Sequence, residues 1–376
     1  MKSIIRFLKA EPVLSIATLL AILSMFFVTP SKEYLGYIDF RTLELLLCFM
    51  LVVAGFQDIG VFSYVGMSLL SKTKNTRQLA GILIFLCFFT SMLITNDVAL
   101  LTFVPFSIML LRMLKREDLF IPVLVLQTIA ANLGSMLTPI GNPQNLYLYS
   151  LYEIPMGTFI LTMLPLTIVA FFLLILFLFH IRKETYTLEE LVLPQKPKAS
   201  FLLLYTGAFF LCLSSVLHLL SSHAMLLMIV LFVCIVNRSL FAKADYKLLL
   251  TFVAFFIFIG NMERIPMISE TLCKLINQRE LILGTLLSQV ISNVPAAILL
   301  SGFTKDVTPL LYGVNVGGLG TLIASLASVI SYGFYSKTEN AKKGAYIKMF
   351  TLYNLLFLVI LFVVAMVLYY KLKLCT

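Results

Sequence analysis

The chain has 376 residues, of which 60% are hydrophobic and only 12% charged, and its net charge is +10. Soluble domains run nearer half apolar and a quarter charged, so this composition excludes a soluble globular fold. The basic excess sits in short loops between apolar runs, where it orients a membrane chain rather than serving a nucleic acid. Runs able to cross a bilayer, roughly 17–25 residues each, are read at 12–29, 42–56, 119–137, 157–181, 200–219, 224–236, 248–260, 309–332 and 349–370. The fold class is an all-α polytopic membrane protein with nine full spans. Lys2, Arg6 and Lys9 precede the first run as in a signal peptide, but the run has span length and no A-x-A site follows, so an uncleaved span is expected. Tyrosines at run ends (Tyr34, Tyr37, Tyr147, Tyr149, Tyr152, Tyr369, Tyr370) fit the headgroup level. Cys48, Cys87, Cys212, Cys234, Cys273 and Cys375 lack CxxC or His-rich spacing and read as core thiols.

Taken in chain order, the basic N-terminus is cytoplasmic, 12–29 leads out and 42–56 returns to Lys72, Lys74 and Arg77. The apolar stretch 79–111 is interrupted only at Thr95-Asn96-Asp97 and ends at a second basic loop, Arg112, Lys115 and Arg116. Arms of about 14–16 residues reach roughly 21–24 Å as helix, short of the roughly 30 Å hydrocarbon core. A re-entrant hairpin with its tip inside the membrane is expected there. Next, 119–150 leads out, 157–181 returns, and the linker places Arg182, Lys183, Lys196 and Lys198 inside. Spans 200–219, 224–236 and 248–260 follow, then an external loop from Glu263 to Glu280 with no basic excess. A second hairpin, 281–303, is interrupted at Ser292-Asn293-Val294-Pro295, and 309–335 ends inside at Lys337, Lys342, Lys343 and Lys348. The second hairpin therefore enters from outside, and the C-terminus is external.

The two halves match in order with opposite orientation. Asp39-Phe40 leads to Gly55 and Asp58, as Asp245-Tyr246 leads to Gly260 and Glu263. Asn96 corresponds to Asn293, and "ANLGS" at 131–135 to "VNVGG" at 314–318. The expected organisation is a first inverted repeat over 1–181, a cytoplasmic linker at 182–199, and a second repeat over 200–376 with one extra span. Such a repeat with broken helices near the midplane points to the binding site of a secondary transporter.

Non-helical backbone at membrane depth is tolerated only where it is buried in protein or lines a cavity. Four breaks are visible: Thr95-Asn96-Asp97, Thr138 to Pro143, Ser292 to Pro295, and "GVNVGGLGT" at 313–321. Helix N-termini at such breaks hold anions, while freed carbonyls and Asn or Ser oxygens hold Na⁺. The candidate substrate and ion site is Thr95, Asn96, Asp97, Asn132, Gly134, Thr138, Gly141, Asn142, Ser292, Asn293, Asn315 and Gly317, with Na⁺ near Asn96, Asp97 and Asn293. Asp97 is the sharpest of these, because an intramembrane carboxylate is costly without a role. Ionised, it coordinates a cation; protonated, it carries a proton. A packing role competes for each asparagine, as interhelical glue worth about a kcal/mol. Asp58 and Glu263 sit at span ends, Glu44 is expected to reach water, and His180, His218 and His223 are read as having no special role.

The segments "TNDVALLTFVP", "ANLGSMLTPIGNPQNLYLY", "SNVPAA" and "GVNVGGLGTLIASLAS" resemble the four signature segments of the ion transporter superfamily, over residues 40–335. That group includes citrate and dicarboxylate permeases, the arsenite/antimonite efflux permease and the D-type sodium/proton antiporters. In the dicarboxylate branch each hairpin tip is Ser-Asn-Thr. Here the tips are Thr95-Asn96-Asp97 and Ser292-Asn293-Val294, and Asp97 makes the chain more similar to the arsenite permease and antiporter branches. The resemblance implies that Asn96 and Asn293 contribute to ion and substrate sites, and it implies a homodimer. The expected function is secondary active transport of a small inorganic or organic anion across a cell membrane, a bacterial plasma membrane, coupled to Na⁺ or H⁺ and with no other cofactor. A Na⁺/H⁺ antiporter is the alternative. An enzyme is disfavoured: there is no HExxH, the sequence around Ser68 in "GMSLLS" offers no plausible nucleophile–His pattern, and no GxxxxGK[ST] is present to bind ATP.

Overall fold

The computed structural model describes residues 11–70, 73–185 and 195–375. Lys2, Arg6, Lys9, Lys72 and linker residues 186–194 lie outside the described residues. The described chain is helical. The first half runs α1 (Pro12–Ser24), the short α2 (Tyr34–Tyr37), α3 (Phe40–Asp58), α4 (Val61–Leu70), α5 (Thr76–Thr90), α6 (Asn96–Met113), α7 (Phe120–Ser135), α8 (Pro143–Leu151) and α9 (Met156–Leu178). The second runs α10 (Ala199–Val216), α11 (Ser222–Val236), α12 (Tyr246–Glu263), α13 (Pro266–Ile276), α14 (Glu280–Ile291), α15 (Asn293–Ser301), α16 (Val307–Val316), α17 (Leu326–Tyr335) and α18 (Lys343–Cys375).

Matching local signals start and cover matching helices. Asp39 caps α3 by accepting the Thr42 N–H at 3.1 Å, and Asp245 caps α12 by accepting the Leu248 N–H at 3.1 Å. Each satisfies one of the donors that a helix start leaves open. Late in each helix a glycine lies under an aromatic ring: a Cβ on Gly55 would fall 2.1 Å from Tyr205, and one on Gly260 2.3 Å from Tyr37. The leading helices are exchanged, α1 packing on α12 and α11 on α3. The hairpins are exchanged too, with α6 packing against α17 and α15 against α8. Of the spanning window that ends in α7, 83% is buried, against 22% for α18 and 28% for α10. Thus α7 runs through the centre, while α10 and α18 form the rim and turn Leu203 and Val367 outward.

Several expectations need correction. Seven helices among the described residues, not nine, are long and apolar enough to cross a membrane. The runs at 12–29 and 224–236 form helices of only 13 and 15 residues. In the first case the chain leaves the helix at Met25 for a turn. The run 309–332 is not one span but α16 and α17 separated by the glycine-rich break, which a hydropathy average passes over. The first hairpin is unequal: α5 has 15 residues, but α6 has 18, about 27 Å of helix, because it takes in Asn96, Asp97 and Arg112 at its ends. The second hairpin is short in both limbs, 12 and 9 residues, or about 18 and 14 Å. Its turn is made by Ser292 at φ 76°, an uncommon conformation for a residue with a side chain. Within the expected external loop lies α13, started by Pro266 at its first turn. Cys273 on α13 is exposed rather than a core thiol. Glu44 does not face water freely: its side chain is 12% exposed and pairs with His223 at 2.6 Å, because the start of α11 lies on α3. Asp58 is held by Lys243 and by Asn237.

Candidate functional site at the crossing of two broken helices

The central helix α7 stops at Ser135, and the chain turns through a 3-10 segment, Pro139–Gly141, before α8 begins. Its counterpart α16 stops at Val316 and passes a 3-10 segment, Leu322–Ala324, before α17. Proline removes a donor and glycine relaxes the backbone at these stops. The Asn142 side chain caps α8 by accepting the Asn145 N–H at 2.9 Å. Ser325 stands at the corresponding place before α17 but makes no cap, which frees its hydroxyl for another partner.

That partner lies in the other half. Ser325 Oγ donates to Asn132 Oδ1 at 3.0 Å, and Asn142 Nδ2 lies 3.3 Å from Asn315 Oδ1. Each break thus reaches across to the asparagine of the opposite broken helix. Asn315 also donates to Asn145 Oδ1 at 2.7 Å, and Asn142 to Ser135 Oγ at 3.1 Å. In each half a threonine helps tie the break to its own hairpin: Thr138 Oγ1 donates to the Met92 carbonyl and Thr321 Oγ1 to the Gln289 carbonyl at 2.9 Å. The two threonines follow Asn132 and Asn315 at the same spacing. The buried asparagines and serines so connected fix one arrangement of the four segments.

Both hairpin tips reach this crossing. Asn96 is 4% exposed and donates to Asn132 Oδ1 at 2.9 Å, while its own Oδ1 accepts the Asp97 N–H at 2.9 Å. Asn293 is 5% exposed and packs beside Gly318, where a Cβ would fall 2.8 Å from its Nδ2. The Gly318 carbonyl accepts from Asn132 at 3.4 Å, so the two tip asparagines are linked through one residue pair. Ser292 Oγ lies 3.4 Å from both Asn293 Oδ1 and the Ala324 carbonyl. Thr95 is the extended residue before α6. It lines a small cavity of about 20 Å³ with Phe49, Met50 and Val53 of α3 and with Asn142.

Four helix N-termini, those of α6, α8, α15 and α17, begin at the crossing, each a partial positive charge suited to an anion. No lysine or arginine occurs in 78–111, 117–181, 280–304 or 306–336, so positive potential in these segments comes from helix ends. Asp97 supplies the opposite sign. It stands in the first turn of α6, and its Oδ1 is inaccessible and without a hydrogen-bond partner among the described residues. A cation or a proton held here would have Asp97 as its anionic group.

The predicted glycines do a different job from the asparagines. Gly134 lets α7 approach α5: a Cβ there would sit 1.9 Å from the Phe88 carbonyl oxygen. Gly317 makes room for Ser288, and Gly141 for the Ser135 carbonyl. Sequence reasoning misses Asn145, Thr321, Ser325 and Gln289, which donates to the Gly317 and Leu319 carbonyls. A signal for Thr321 and Ser325 does exist, since each falls at the step after Asn315 that Thr138 and Asn142 hold after Asn132. If the tip asparagines serve one bound species, Asn96→Ala and Asn293→Ala should each weaken solute affinity about tenfold, or about 1.4 kcal/mol. The double variant should lose less than the product of the two. Affinities of the purified variants check this; small, strictly independent losses would make both residues helix glue.

Comparison with known proteins agrees with this geometry. The chain is 34% identical over 320 residues to an uncharacterized transporter of Methanocaldococcus jannaschii, covering 85% of this chain and 86% of that one. It is 31% identical over 318 residues to the inner membrane protein YbiR of Escherichia coli, covering 82% and 83%. A shorter match, 30% over 141 residues, covers 38% of this chain and 29% of the silicon efflux transporter LSI3 of Oryza sativa subsp. japonica. The sequence profile described as "Citrate transporter" matches residues 4–310. An all-helical membrane chain whose breaks and hairpins converge on one polar crossing thus belongs to the citrate transporter family.

Proposed function

We propose that the protein is a secondary active transporter that moves a small inorganic or organic anion, or its weak acid, across a cell membrane in exchange for or together with Na⁺ or H⁺. The observation that carries this reading is the pair of crossed contacts, Ser325 to Asn132 and Asn142 to Asn315. They support two inverted repeats, 1–181 and 200–376, with α10 as the extra span of the second and the linker 182–199 between them. Both hairpins then present Asn to one site, with four helix ends for the anion and Asp97 for the coupling ion. Alternating access would move the hairpins and broken helices against α3 and α12, so no chemical step on the solute is needed and the chain acts as a transporter without enzymatic activity. A homodimer within the bilayer is part of the same reading, from the resemblance of the signature segments.

Asp97 favours a second reading, a Na⁺/H⁺ antiporter, since a lone carboxylate can alternate between cation and proton. The two are separated in everted and right-side-out vesicles by following citrate, phosphate, arsenite and silicic acid under imposed Na⁺ or pH gradients. The first reading predicts gradient-driven movement of at least one solute. Ion exchange with no solute moved would favour the antiporter.

A further inference from the structure

The bases of the two hairpins are closed by different chemistry. In the first, the turn after α6 carries Arg116, whose side chain is 17% exposed and pairs with Asp118 at 2.8 Å and Glu184 at 2.9 Å. In the second, the turn 302–306 after α15 meets the carboxylates of Glu263, Glu280 and Asp306, and none of these is in an ion pair among the described residues. The flanking Arg279 and Lys305 are exposed.

Glu280 is the acute case. It opens α14 and is 2% exposed. Its Oε1 accepts from Thr304 Oγ1 at 2.9 Å and from the Gln278 N–H at 3.3 Å, while Oε2 is inaccessible and has no partner among the described residues. Neutral oxygens crowd the same turn. The Tyr152 hydroxyl lies 2.8 Å from the Thr304 carbonyl and 3.2 Å from the Ser301 carbonyl, and its single proton satisfies one of them. A Cβ on Gly302 would fall 2.5 Å from Glu263 Oε1, so that carboxylate also lies against the turn.

A buried ionised carboxylate needs a compensating cation. No three of the His, Cys, Asp and Glu side chains among the described residues are placed to hold a metal ion together, which argues against a multi-carboxylate cage for a divalent ion. One anionic oxygen among carbonyl and hydroxyl oxygens is the donor set of a hard, singly charged ion. We propose that the base of the second hairpin binds Na⁺, with Glu280 Oε2 as the anionic ligand and oxygens of the turn Ser301–Asp306 around it, in the role that Arg116 fills at the first. The ion would pin the start of α14 to the end of α15 and, through Tyr152, to the end of α8. It stands apart from the transport reading, because it uses neither Asp97 nor a tip asparagine.

The test is peptide-resolved hydrogen exchange of the full-length purified protein in NaCl against choline chloride at equal ionic strength. Na⁺ should slow exchange across 299–306 at least about fivefold in the wild type. The effect should vanish in Glu280→Gln and persist in Asp97→Asn. Should Glu280→Gln not fold, Thr304→Val is read instead, and the Na⁺ concentration for half-protection should rise at least about threefold. The proposal is overturned if the wild type shows no Na⁺-dependent protection there, or if Glu280→Gln retains it. An effect lost in Asp97→Asn but kept in Glu280→Gln would assign the ion to the crossing and equally overturn it.

Discussion

Asp97→Asn should leave a folded, membrane-inserted protein whose coupled transport is lower by at least about 100-fold, a loss of about 3 kcal/mol in the driving interaction. The substitution removes the charge with little change of shape. Asp97 Oδ1 accepts no hydrogen bond among the described residues, so no structural contact of that oxygen is lost with its charge. The Asp97 backbone N–H still donates to Asn96 Oδ1, and Asn96 still donates to Asn132, so the tip should keep its form. What disappears is the only carboxylate in the segment 78–111, and with it the group able to hold a cation or a proton at that depth. Transport at the wild-type rate with an unchanged ion dependence would show that Asp97 is structural.

Gly134→Ala should be the most damaging single methyl in the centre of the protein. The added Cβ would meet the Phe88 carbonyl oxygen at 1.9 Å and Ser91 Oγ at 2.6 Å. The serine can rotate, but the carbonyl belongs to the backbone of α5 and cannot leave without opening the contact between α5 and α7. Overpacking of this kind costs about 1–3 kcal/mol and sometimes more, and a backbone obstacle places Gly134→Ala at the upper end. Gly317→Ala meets the Gly313 carbonyl oxygen at 2.7 Å and Ser288 Oγ and Cβ at 2.7 and 2.8 Å, all well beyond the 1.9 Å approach at Gly134, and should cost less. Thermal unfolding of the two variants checks the order. Equal, negligible shifts would mean that the helices are not so close.

The polar breaks are legible in the sequence because they conflict with their surroundings: Asn, Asp, Pro and Gly inside apolar runs demand a reason in a membrane. The same conflict singles out Asn96, Asn132, Asn142, Asn293 and Asn315 by residue type and place alone, and hydrogen bonds and close packing link them around the crossing. Helix lengths are harder to read. Hydropathy marks where apolar residues lie, not where the backbone ceases to be helical, so the run 309–332 conceals two helices and 12–29 overruns Ser24. Ser325 carries no mark by residue type, because serine is common in membrane helices; its signal is its step after Asn315, the one Asn142 holds after Asn132, and its bond to Asn132 shows its part in the crossing. Glu280 reads as the end of an external loop, and its burial depends on Thr304 in a distant turn. Gly134 and Gly317 stand out in the right segments, but which helix each admits is a matter of packing that the sequence does not display.

On the proposed function, the crossing alone, without ATP, couples an ion gradient to solute movement. This coupling is tested most directly with the purified chain in proteoliposomes that contain no nucleotide, by measuring accumulation of the solute identified in vesicles under an imposed Na⁺ or pH gradient. Uptake should exceed the external concentration, collapse when an ionophore dissipates the gradient, and be lost in Asp97→Asn. Movement that only equilibrates the solute and ignores the ionophore would contradict the proposed coupling.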